Sequence, residues 1–151
     1  MYKKRLKLIL ITTAMLFFLG GCSFIEDVNN SVNYVNEATA YVNEVSTFVK
    51  EVPPLAEQAI SDEQALAELE IKLEDMKSEI VAFNELKAPE LATEIHEQIV
   101  THNNQALDGI ESYLSNIENG KLDPAILENS DVYQSFREIT NTIDEIKQLG
   151  Q

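Results

Sequence analysis

From residue 24 onward the apolar side chains recur at steps of three and four, the spacing that gathers them on one face of an α-helix. No stretch alternates in twos between turn residues, so strands are not expected. The first segment, roughly 24–52, repeats in sevens as NYVNEAT, AYVNEVS and TFVKEVP. Val28, Val35, Val42 and Val49 share one heptad position, and Ile25, Val32 and Thr39 share a second, flanked by Ala38, Val45 and Val52. Tyr34, Tyr41 and Phe48 recur on the adjacent row. Four such heptads fit a coiled coil or a packed bundle helix, and the bundle helix is the reading preferred. Val, Thr and Asn are mediocre helix formers, so this helix depends on packing.

Punctuation then divides the chain. Pro53-Pro54 is expected to end the first helix, because neither proline can donate to the helical ladder. A short turn follows over Leu55 to Ile60, and Ser61 reads as an N-cap with Gln64 three residues on. The second helix, roughly 62–87, carries Leu66, Leu69, Leu73, Met76, Ile80, Phe83 and Leu86 inward. Ala88-Pro89 breaks it, with Pro89 placed to start a third helix, roughly 89–118. That helix presents Leu91, Ile95, Ile99, His102, Ala106, Ile110, Tyr113 and Ile117. Asn119-Gly120 closes it, and Asp123-Pro124 opens a short turn to about Asn129. Ser130 caps a last helix, roughly 131–149, with Val132, Phe136, Ile139, Ile143 and Ile146 inward and Gly150 beyond its end. Four amphipathic helices with short connections predict an all-α, four-helix up-and-down bundle. At 1.5 Å per residue a first helix of about 28 residues is about 42 Å long, enough to protrude toward a membrane as a stalk.

The N-terminus follows a different pattern. Lys3, Lys4, Arg5 and Lys7 precede an uncharged run from Leu8 to Leu19. A basic start followed by about a dozen apolar residues describes a signal peptide, whereas a membrane span needs about 20. The run ends at Leu19-Gly20-Gly21-Cys22, which resembles the lipobox of bacterial lipoproteins. The resemblance implies cleavage after Gly21, so that residues 1–21 are removed, and a diacylglycerol on the Cys22 thiol. Cys22 is the chain's only cysteine, and once acylated it leaves no thiol for disulfide, metal or nucleophilic chemistry. Two acyl chains also suffice for stable anchoring. One domain, 22–151, remains.

Charge narrows the partners. Of 11 basic residues seven remain after the cut, against 26 acidic ones, for a net −19. Such a surface repels nucleic acid and anionic lipid, so no nucleic-acid partner is expected. A partner that responds to charge must be cationic, either a basic protein or divalent ions.

Chemical motifs are scarce. His96 and His102 are six residues apart, about 240° around a helix, whereas a helical metal pair sits at i, i+4. His102 falls on the apolar stripe and His96 is expected to face solvent. Glu68, Glu70, Glu74, Asp75, Glu79, Glu94 and Glu97 read as solvated faces, and no Glu-x-x-His or Ca²⁺-loop motif occurs. No catalytic residue, metal site or cofactor is expected. Tyr34, Tyr41 and Phe48 are the candidate face for a partner helix, although such rows more often belong to a core.

Three stretches, CSFIEDVNNSVNYVNEATAYVNE (22–44), EIHEQIVTHN (94–103) and YLSNIENGKLDPAILENS (113–130), carry a resemblance. They are similar to a family of small lipoproteins of Bacillus-type Gram-positive bacteria whose domain has no known function. The resemblance implies export, lipidation and retention on the extracytoplasmic face of the cell membrane. The function expected is a non-enzymatic, anchored bundle that binds an envelope protein or a second copy of itself. The alternative is a cation- or small-ligand-binding lipoprotein.

Overall fold

The regular spacing folds as helices joined by short turns in the computed structural model, which describes residues 21–119, 121–128 and 131–149. Helix α1 spans Gly21–Ala59, α2 Glu63–Asn84, α3 Thr93–Glu118, α4 Pro124–Glu128, α5 Asp131–Asn141 and α6 Ile143–Leu149. A 3-10 turn, Glu90–Ala92, precedes α3. No strand occurs among the described residues, and the fold class is all-α.

The expected breaks move in ways that packing explains. Pro53 and Pro54 lie inside α1, which runs 39 residues to Ala59. The prolines remove two ladder bonds, but Pro54 and the Lys50 behind it are exposed, so water can meet a freed carbonyl there. Val52, Leu55, Ala56 and Ala59 are buried on the other side, and that burial holds the helix past the prolines. The cap of α2 is Asp62, not Ser61: its Oδ1 accepts from the N–H groups of Gln64 at 2.8 Å and Ala65 at 3.3 Å. Helix α2 stops at Asn84, short of the expected Lys87, and the N–H of its C-cap Glu85 donates back to the Val81 carbonyl at 3.2 Å. Pro89 itself is extended and caps the 3-10 turn rather than starting α3. That turn points Leu91 outward, 78 % exposed, where the stripe had placed it inward. The last expected helix divides at Thr142, whose hydroxyl donates to the Ile139 carbonyl at 2.7 Å. At the start of α4, Asp123 Oδ1 accepts from the Ala125 N–H at 3.0 Å, as an N-cap before Pro124 should. The expected caps at Gly120, Ser130 and Gly150 lie outside the described residues.

Helix α1 packs on α2, α5 and α6, while α3 packs on α2 and α5. Residue pairs give the directions. Glu51 meets Lys72 on α2, and Tyr41 stacks on Phe83 further along it, so α1 and α2 run antiparallel. Tyr34 meets His96 and Tyr41 meets Asn103, the same offset of 62 residues, so α1 and α3 run parallel across the core. Lys77 with Glu111 and Asn84 with Asn103 make α2 and α3 antiparallel. The seven-residue repeat of α1 is thus matched by a seven-residue step on α3.

The fully buried face of α1 is turned from the expected valine row toward its neighbours. Tyr34, Ala38, Tyr41, Val45, Phe48 and Val52 are buried along with Val42, while Val35 and Val49 are half-buried and Val32 is exposed. Burying the aromatic row removes more apolar area than burying the valines would, and Ala38 lets the backbones approach. Across the core, Gly109 of α3 faces Val132 of α5, where an added Cβ would overlap the valine Cγ2. Gly109→Ala is expected to lower the melting temperature. Overpacking costs about 1–3 kcal/mol against a helix-propensity gain of about 1 kcal/mol, and adding Val132→Ala should restore part of the loss.

Candidate functional site

Gly21 and Cys22 open α1, while Leu19, Gly20 and the rest of the expected leader lie outside the described residues. Among the side chains described, which begin at residue 30, the first buried one is Tyr34, twelve residues after Cys22. Twelve helical residues span about 18 Å, which separates the core from the acylation motif by a helical segment. No helix among the described residues is long and apolar enough to cross a membrane.

The candidate partner face goes inward. Tyr34, Tyr41 and Phe48 are each buried, and each ring is taken up by the chain's own helices. Phe48 meets Phe136 edge-on, with centroids 5.3 Å apart. Tyr41 stacks on Phe83 at 4.4 Å, and Phe83 faces the His96 ring at 5.2 Å. Tyr34 meets His96 edge-on, its hydroxyl 3.3 Å from Nδ1. This row is core, because rings this large stabilise more by leaving water than by waiting for a partner. Burial pushes the Tyr34 hydroxyl up to about 12 and raises Tyr41 as well, so both stay protonated donors.

His96 is not solvent-facing as expected. It is half-buried under Tyr34 and Phe83, and its burial lowers its pKa, favouring the neutral ring. The stripe position assigned to His102 is held instead by Asn103, which is fully buried, with His102 half-buried beside it. Asn103 accepts from the Tyr41 hydroxyl and donates to Asn84 Oδ1 at 2.8 Å. Asn84 in turn donates to the exposed Asn104 at 3.2 Å. The network joins α1, α2 and α3 and runs from core to surface. Local periodicity does not reveal it, since a lone polar residue on a stripe declares no partner.

The carboxylates keep to the outside. Glu68, Glu74, Asp75, Glu79, Glu94 and Glu97 are exposed and Glu70 is half-buried. Among the described residues no group of three or more His, Cys, Asp or Glu side chains is gathered as a metal ion needs. Among the described residues, two open depressions offer binding geometry. One, about 390 Å³, lies between α1 and α2 and is lined by Glu44, Glu51, Asp75 and Glu79 over Phe48 and Met76. Lys72 crosses it, 2.9 Å from Glu51, and this hydrogen bond raises the lysine pKa. The other, about 410 Å³, is more apolar and lies at the far end of α1 among Ala59, Ile60, Leu66, Ile117 and Leu122, beside Asp62 and Glu63.

The comparisons with known proteins agree with this anatomy. A family of unknown function, DUF6376, matches residues 34–149, beginning at the first buried tyrosine. The chain is 39 % identical over 132 residues to an uncharacterized lipoprotein, YybP, of Bacillus subtilis strain 168, covering 87 % of this chain and 89 % of that one. Neither description points to catalysis. No solved structure matches. The chain belongs to the DUF6376 family, a Bacillus-type lipoprotein family of unknown function.

Proposed function

We propose that this DUF6376 lipoprotein is a non-enzymatic, lipid-anchored module that binds a basic segment of an envelope protein on the extracytoplasmic face of the cell membrane. The observation that carries the reading is the order of parts along α1. The lipobox cysteine comes first, then about three helical turns, then the buried core where the family match begins. In this reading residues 1–21 are a signal peptide and Cys22 bears the diacylglycerol. The domain is a four-helix up-and-down bundle carried on the start of α1. The antiparallel pairing of α1 with α2 and of α2 with α3 supports that topology. A mature net charge of −19 favours a cationic partner and keeps the domain off anionic lipid.

Crosslinking on intact membranes, followed by mass spectrometry, tests the reading. A reproducible protein partner whose linked peptide is rich in Lys or Arg is expected. Repeated recovery of the protein alone, or joined only to itself, counts against it. The second reading is a cation- or small-ligand-binding lipoprotein, and the acidic groove between α1 and α2 favours it. It requires Ca²⁺, Mg²⁺ or a small ligand to raise the melting temperature at modest excess.

A further inference from the structure

We infer that the depression at the far end of α1 is the docking surface for that partner, and that its occupant is an amphipathic segment with apolar side chains flanked by Lys or Arg. The inference rests on the basic-partner reading above and says where the contact is made. Three elements build the surface: the end of α1 at Ala59 and Ile60, the start of α2 at Leu66, and the end of α3 at Ile117 with Leu122 beyond it. Ile60 stands 62 % exposed on the rim, while Leu66 and Leu122 are half-buried and Ile117 is buried. Large aliphatic side chains from three elements around one depression are what an apolar anchor residue fits.

The charge of the rim selects the flanks of the occupant. Helices α1 and α3 both end here, and neither has a basic residue in its last turn, so neither negative dipole end has a cationic side chain of its own helix, although N–H groups of Ser61, Asp62, Asn119 and Lys121 cap some of the last carbonyls. The opposing N-terminus of α2 carries Asp62 as its cap and Glu63 in its first turn, which set carboxylates against its positive end. Lys121, exposed just beyond α3, is the one basic side chain within five residues along the chain of any lining residue at this end. The depression between α1 and α2 differs in kind, since it is mainly polar and Lys72 already occupies its acidic wall. From Cys22 to Ala59 the helix rises about 55 Å at 1.5 Å per residue, so the anchor holds this surface out at the end of α1 away from the lipid.

The test uses the full-length protein purified from membranes and placed in zwitterionic lipid nanodiscs, with empty discs as the baseline. Three short synthetic helices serve as probes: leucine with lysine, serine with lysine, and leucine with glutamate. The leucine–lysine peptide should bind at least about tenfold more tightly than either of the others. Ile60→Ser combined with Leu122→Ser should weaken that binding by about tenfold or more, while Ile71→Ser, at an equally exposed isoleucine on α2, should leave it unchanged. Ile60→Ser alone, at an exposed position that does not threaten the fold, should account for most of the loss. Equal binding of the serine–lysine peptide, or an equal loss from Ile71→Ser, overturns the inference. Loss on Glu44→Lys and Glu51→Lys with Ile60→Ser unaffected overturns it too, but leaves the basic-partner reading standing. Failure of both basic peptides removes the two together.

Discussion

Asn103→Ala is expected to lower the stability of the domain by about 2–4 kcal/mol, a large share of the 5–15 kcal/mol typical of a domain. Asn103 is fully buried, and Tyr41, whose hydroxyl donates to it, is nearly so. Truncation leaves that hydroxyl without its acceptor in the core, which costs about 1–3 kcal/mol, and opens a small cavity beside it. Asn84, half-buried, loses its donor from Asn103 but can turn to water. The melting temperature should fall by about 10 °C, read by circular dichroism. Tyr41→Phe alone should also destabilise, because it strands the Asn103 carbonyl. The double variant Tyr41→Phe with Asn103→Leu should lose clearly less than the sum of Tyr41→Phe and Asn103→Leu made singly, since both polar partners then leave together. Strict additivity would show that the pair does not act as a unit.

Cys22→Ala is expected to abolish lipid anchoring. Each buried methylene of an acyl chain contributes about 0.8 kcal/mol, and two chains hold a protein stably where one does not. No helix among the described residues is long and apolar enough to span a membrane, and residues 22–151 carry a net charge of −19, which anionic lipid repels. Without the thiol, the expected product is an uncleaved precursor or a protein released from the membrane. Fractionation with immunoblotting distinguishes both from the native protein. Normal processing and membrane retention in this variant would contradict acylation at Cys22.

The sequence was most legible where apolar residues serve a single face. On α2, Leu69, Leu73, Met76, Ile80 and Phe83 are buried as their steps of three and four require. It was least legible where two physical preferences compete. Helix α1 carries three apolar rows, and periodicity alone could not say that the aromatic row would win the core over the valines. Pro53-Pro54 looked like a stop because proline forbids the local ladder, yet burial of Leu55, Ala56 and Ala59 overrides it. At Asn103 the deciding contact comes from Tyr41, 62 residues away, so a one-residue shift from His102 could not be read locally. Leu91 left the core because the backbone after Pro89 turns before α3 begins. The depression at the end of α1 needs three elements separated in sequence by tens of residues, and no single stretch announces it.

We propose that a diacylglycerol on Cys22 holds this helical domain to the membrane. Mass spectrometry of the N-terminal peptide from the native membrane fraction tests it most directly. The expected peptide begins at Cys22 and carries a diacylglycerol in thioether linkage on its sulfur. A mature protein that still contains residues before Cys22, or a Cys22 with a free thiol, would contradict the claim.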